Sequence, residues 1–131
     1  MIGLDTNVLV RLIIDDDTAQ AAAVERLVAD AIASGEPLFV SDAVVCELVW
    51  VLGRVYQFTR AELLHTLRSL LQSREILWNR KEELRRAVDD FATGKGDFSD
   101  YLIRALAIVA GCDRVATFDK ALIGETSYVG P

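Results

Sequence analysis

Four carboxylates, Asp5, Glu47, Asp100 and Asp119, sit inside or at the ends of short apolar segments spread along the sequence. Asp5 closes Met1-Ile2-Gly3-Leu4, and Asp119 closes Val115-Ala116-Thr117-Phe118. Glu47 interrupts Val44-Val45-Cys46 and Leu48-Val49-Trp50-Val51-Leu52, while Asp100 immediately precedes Tyr101-Leu102-Ile103. A buried, unpaired carboxylate costs several kcal/mol or takes up a proton. A divalent cation is the simplest agent that keeps four of them charged together, so the set points to metal-dependent chemistry.

The other reactive side chains are less pointed. His65, the one histidine, lies among leucines without a partner acid, which speaks against histidine-based acid–base catalysis. Asp15-Asp16-Asp17 reads as a solvated helix start. Glu82-Glu83, Arg85-Arg86 and Asp89-Asp90 read as an exposed helix face. Arg104 follows Asp100 by one helical turn, and Arg11 lies one to two turns after Asp5. For both arginines, charge balance and phosphate contact stay open as readings.

Strand and helix patterns alternate with short connections, without internal repeats or low-complexity linkers. Met1 to Leu4 is a strand candidate that breaks at Asp5-Thr6-Asn7 into an apolar helix over Val8 to Ile14. Asp15 to Thr18 starts a helix reaching about Ala33, and Ser34-Gly35-Glu36-Pro37 stops it. Leu38 to Val40 is the second strand. Ser41-Asp42 caps a helix to about Tyr56, and Thr59 to Ser73 is another. Glu75 to Trp78 is the third strand, and Asn79 is expected to cap the helix from Arg80 to about Ala92. Gly94-Lys95-Gly96 reads as a flexible turn before a helix from near Phe98 to Gly111. Arg114 to Phe118 is the fourth strand, with Tyr128-Val129 a short fifth.

This order favours a single three-layer α/β/α domain over residues 1–131, with a mostly parallel central sheet of four to five strands. In such sheets, ligands bind beyond the carboxyl ends of the strands. Asp5 and Asp119 end strands, Glu47 lies in the second turn of a helix that follows one, and Asp100 lies in the first turn of another helix. All four acids are therefore expected on one edge. Asp97 and Asp100, three apart, share a side of their helix start. Asp97 also suits an N-cap.

At 52% hydrophobic residues and a mean hydropathy of +0.27, the chain has the composition of a globular domain with a sizeable core. No apolar run reaches the roughly 18–20 residues that span a bilayer, and the N-terminus lacks the basic stretch of a signal peptide. Cys46 and Cys112 have no metal-ligand spacing and read as reduced core residues of a cytoplasmic protein. The net charge of −6 argues against coating nucleic acid by bulk electrostatics. A nuclease stays compatible with it, provided local cations hold the phosphates.

The run Gly3-Leu4-Asp5-Thr6-Asn7-Val8-Leu9-Val10 resembles the first motif of the PIN-domain nucleases. A helical Glu47, then Asp97-Phe98-Ser99-Asp100-Tyr101-Leu102-Ile103, then Thr117-Phe118-Asp119-Lys120 continue the pattern in order. Size and spacing look most like the VapC-type toxins of toxin–antitoxin pairs. The resemblance implies an endoribonuclease dependent on Mg²⁺ or Mn²⁺, with Asp5, Glu47, Asp100 and Asp119 as catalytic and metal-binding acids. Asp100 matches the family's pattern of an Asp before an apolar run better than Asp97, which is the alternative ligand. The hydroxyls of Thr6 and Thr117, with Asn7 beside them, would support the acids, a role worth roughly 10–100-fold in metal sites. The resemblance further implies an RNA substrate, a cognate antitoxin and a homodimer. The helix over Val44 to Tyr56, apolar on nearly every side, is either core or a surface such partners cover. Two competing readings are a PIN nuclease of RNA processing without an antitoxin, and a non-catalytic PIN-fold binding module. A phosphoacceptor built on Asp5 lacks the second Asp two residues on.

Overall fold

The computed structural model describes all 131 residues. In chain order the elements are β1 (Ile2–Gly3), α1 (Thr6–Ile13), α2 (Thr18–Ser34), β2 (Leu38–Val40), α3 (Asp42–Arg54) and α4 (Arg60–Leu71). They continue as β3 (Ile76–Trp78), α5 (Lys81–Thr93), α6 (Phe98–Val109), β4 (Val115–Ala116) and β5 (Tyr128–Val129). None of the helices is long and apolar enough to cross a membrane.

The sheet is parallel, in the order β1-β2-β3, with Ile2 opposite Leu38 and Leu38 opposite Ile76. β2 is the middle strand because its apolar run is covered on both sides, with Leu38 and Val40 buried and Phe39 half-buried. Parallel strands put their carboxyl ends on one edge, and α1 and α3 both depart from that edge. The domain is α/β, as expected, but its central sheet has three strands rather than four or five. β4 and β5 pair with each other, also in parallel, as a separate two-stranded unit. β4 lacks the burial that places β2 at the centre: Val115 is half-buried, Ala116 exposed, and Phe118 stands 87% exposed instead of joining a buried strand.

Local chemistry sets most helix starts. Ser41 accepts a hydrogen bond from Val44 N–H at 3.3 Å to begin α3, and Asp17 accepts from Gln20 N–H at 3.0 Å to begin α2. Thr59 and Glu62 exchange bonds in a capping box before α4. Asn79 does not cap α5. Its amide donates to Asp42 at 3.1 Å, a charged acceptor in the first turn of α3, and Arg80 occupies the cap position without a side-chain bond.

On α6, Phe98, Tyr101, Leu102 and Ala105 are buried, a stripe at helical spacing that fixes which way the first turn faces. Each large apolar side chain so buried contributes about 1.5–3 kcal/mol. α3 is not core on every side. Val45, Leu48 and Leu52 are buried, whereas Trp50, and Val55 just past the end of the helix, are largely exposed. Cys46 is half-buried, but Cys112, expected in the core, lies exposed in the turn after α6.

Candidate active site

Asp5 stands where β1 runs out. Leu4 N–H still donates to the Phe39 carbonyl at 2.8 Å, and one residue later Asp5 caps α1, accepting Thr6 N–H at 2.8 Å. Its carboxylate is exposed and forms no ion pair. Glu47, in the second turn of α3, is exposed and pairs with neither Arg11 nor Arg54. Asp119 sits just past β4, where one of its oxygens accepts Ala121 N–H at 2.9 Å. Thr117 does not reach that carboxylate. Its hydroxyl accepts the backbone N–H of Asp119 at 3.0 Å and so shapes the turn that presents the acid.

The start of α6 is more constrained. Asp97 occupies the cap position, with its backbone N–H donating to Asp100 Oδ2 at 2.8 Å. Asp97 is exposed and Asp100 half-buried. Burial pushes the Asp100 carboxyl above its ordinary range, and the charges of Asp97, Asp119 and Glu125 push it the same way, against the bond from Asp97 N–H. Asp100 is thus the point where the fields of three other acids meet. A cavity of 260 Å³ separates this turn from the middle of α3, lined by Asp97, Phe98 and Ser99 and by Cys46, Val49 and Trp50.

Glu125 has no signal in the sequence, lying in an unremarkable Gly-Glu-Thr turn. It accepts the Lys95 N–H and the Tyr101 hydroxyl, each at 3.1 Å, and tethers the 94–96 loop to the C-terminal segment. Tyr128 donates to the Asp100 carbonyl. Its pKa is raised by burial and next by the Asp100 charge, which keeps that hydroxyl protonated as a donor. Arg104, only 9% exposed, bonds the Asp90 carboxylate at 2.8 Å and the Thr126 carbonyl at 2.9 Å. Its guanidinium faces the rings of Tyr101 and Tyr128, so it balances charge inside the fold and is not free for a phosphate. Arg11 is likewise engaged, by Asp16 and Gln20.

The chain matches the PIN-domain family over residues 2–124. It is a member of the PIN-domain family. A VapC ribonuclease of Aquifex aeolicus (strain VF5) is 26% identical over 117 residues, which is 89% of this chain and 86% of that protein.

The PIN-domain acids offer oxygen donors that repel one another, the chemistry a hard dication satisfies. No three Asp, Glu, His or Cys side chains are gathered closely enough to enclose an ion. The set therefore does not fit an all-protein cage. An ion of the Mg²⁺ kind would ask less of the set, since it takes one or two carboxylates directly and keeps several waters. Asp100, half-buried and crowded by charge, is the acid with most to gain from it.

Thr6 is buried at the first position of α1, and its hydroxyl has no hydrogen-bond partner. Asn7 is exposed. Replacing an unpaired buried hydroxyl by a methyl group removes a desolvation cost without breaking a bond. Thr6→Val is therefore expected to hold or raise the melting temperature. A loss above about 1 kcal/mol in chemical denaturation would show that the hydroxyl does hold a partner.

Proposed function

We propose that this PIN domain is a metal-dependent endoribonuclease, the toxin of a toxin–antitoxin pair, acting in the cytoplasm. The observation that carries the reading is Asp100: half-buried, bonded by its own helix start, and crowded by Asp97, Asp119 and Glu125. Arg104 meets only the rim of this cluster, pairing with Asp90 at 2.8 Å and with Glu125 at 3.9 Å, and it forms no ion pair with Asp97, Asp100 or Asp119. The resemblance of the chain to a VapC ribonuclease agrees with the reading.

In this reading Asp5 and Asp100 would hold the ion directly. Glu47 and Asp119 would bind the ion or hold its waters, and Asp97 would lend negative charge beside them. When bound, Mg²⁺ or Mn²⁺ would supply a water of lowered pKa and polarise the scissile phosphate. The chain's own part is positioning. Asp5 is held by the end of β1 and the cap of α1, and Asp100 by the buried stripe of α6. Lys95 and Lys120 are exposed, form no ion pair, and lie in the loops that carry Asp97 and Asp119, where they offer the local cations an acidic protein needs to hold RNA. Trp50, Val55, Ile103 and Phe118 are large exposed apolar side chains, suited to cover by an antitoxin segment or a second copy.

A second reading, a PIN-fold binding module without chemistry, is favoured by the lack of any three acids grouped to hold an ion. One assay separates the two. Purified protein is expected to cleave RNA in Mg²⁺ or Mn²⁺, leaving 5′-phosphates, and to stop when the ion is chelated. Cleavage that persists in chelator, or none with either ion, would sink the nuclease reading. A co-expressed product of the neighbouring gene should bind the protein and suppress cleavage.

A further inference from the structure

We propose that Arg60 is a positioning residue for the acids at the start of α6. Its kinetic consequence rests on the nuclease reading, whereas its structural part does not. Arg60 is the first residue of α4, fixed there by the Thr59–Glu62 capping box. It takes part in no ion pair. Instead its guanidinium grips main chain more than thirty residues away in sequence. Nε donates to the Phe91 carbonyl at 2.9 Å, and Nη2 donates to the carbonyls of Gly94 at 2.8 Å and Gly96 at 2.9 Å.

Phe91 O belongs to the last turn of α5, where carbonyls lack helical partners and a cation is favoured. Gly94 and Gly96 form the loop that delivers Asp97. Beyond the point Arg60 holds, Gly96 N–H donates to the Tyr101 hydroxyl at 2.8 Å and Asp97 N–H to Asp100 Oδ2 at 2.8 Å. The Gly96 backbone lies against Asp100 closely enough that an added Cβ would stand 3.1 Å from Oδ2. A shift of the loop therefore changes both the bond to Asp100 and the room around it.

A second route runs through rings. Arg60 lies over Phe91, 4.0 Å from its centroid, and Phe91 meets Phe98 edge-on at 6.2 Å. Phe98 is the first residue of α6. One side chain thus fixes the turn bearing Asp97 and Asp100 from both its sides, without touching either acid. The planar fork reaches three carbonyls at once, which a lysine ammonium on one stem cannot reproduce.

The test uses Arg60→Ala and Arg60→Lys in the full chain, with amide hydrogen exchange and cleavage kinetics at saturating Mn²⁺. Losing charge-assisted bonds is expected to speed exchange at Gly96 and Asp97 about tenfold or more in Arg60→Ala, while Leu4 N–H in the sheet keeps its rate. kcat should fall about tenfold with KM changed less than about twofold, the pattern of misplaced catalytic groups. Arg60→Lys, which keeps stem and charge, should recover less than half of the loss. Unchanged exchange at Gly96 and Asp97, or faster exchange with unchanged kcat, overturns the proposal. Should Arg60→Ala fail to fold, exchange in Arg60→Lys decides. A wild type that cleaves no RNA overturns the nuclease reading instead, and exchange still decides whether Arg60 holds the loop.

Discussion

Asp100→Asn is expected to abolish RNA cleavage and, in the metal-free protein at neutral pH, to raise the melting temperature. The two effects share one cause. Burial first, then the charges of Asp97, Asp119 and Glu125, raise the folded-state pKa of Asp100 above its unfolded value. Folding therefore favours the protonated carboxyl. The stability this group contributes is fully present below the unfolded-state pKa and is lost as pH rises through the raised folded value. At neutral pH the carboxylate is charged and works against the fold. Asparagine stays neutral there, and its side-chain oxygen can still accept the Asp97 N–H. The gain over wild type should shrink as the pH is lowered and Asp100 protonates, which melts across the acid range would show. Activity moves the other way, because the variant loses the charge that a cation needs. The loss should exceed the roughly 100-fold that marks groups merely supporting a metal ligand. Asp5→Asn makes the contrast. Asn caps a helix as well as Asp does, and Asp5 is exposed, so this variant should lose cleavage with its melting temperature unchanged. A lower melting temperature for Asp100→Asn at neutral pH would mean that an unrecognised cation already pairs with Asp100.

Strand β2 and the starts of α2, α3 and α4 were legible because their signals are local. Pro37 and Ser41 bracket an apolar triplet, and Asp17, Ser41 and Thr59 bond the amides that follow them. Asp5 and Asp97 were readable as caps on the same ground. What the sequence hid depends on distant partners. Asn79 looked like a cap until Asp42, from another helix, offered a charged acceptor. Glu125 became visible only when folding set it against Tyr101 and Lys95. Arg104 could not be assigned to charge balance or phosphate until Asp90 and Thr126 were seen to hold it. The Asp97/Asp100 ambiguity has a physical root as well, since the two acids act as one unit through the Asp97 N–H bond. The largest misreading concerns Gly94-Lys95-Gly96, which composition marks as a flexible turn. In the fold it is clamped by Arg60, Tyr101 and Glu125.

Those two glycines are there for closeness, and substituting each should have a different result. A Cβ on Gly94 would lie 1.8 Å from the Tyr101 hydroxyl oxygen, 2.4 Å from its Cζ and 2.9 Å from the Asp90 carbonyl. Tyr101 is 1% exposed and its hydroxyl is bonded to both Gly96 and Glu125, so the ring has nowhere to go. Gly94→Ala should therefore cost about 3 kcal/mol, the upper end for forcing an extra carbon into a packed site. On Gly96 the nearest obstacle, at 2.5 Å, is a methyl group at the tip of Leu122, and Asp100 Oδ2 follows at 3.1 Å. A leucine tip is the far end of a flexible side chain, whereas the Tyr101 ring is held at its hydroxyl, so Gly96→Ala should cost less than Gly94→Ala, about 1–2 kcal/mol. The displaced carboxylate is what suffers, and cleavage should fall out of proportion to stability. Gly3 in β1 has nothing within 4 Å of an added Cβ, and Gly3→Ala should be neutral or slightly stabilising because the unfolded chain becomes less free. Guanidinium denaturation of the three variants, set beside their cleavage rates, checks the order. Gly94→Ala as stable as Gly3→Ala would mean that Tyr101 yields, and that the loop before Asp97 is not clamped by it.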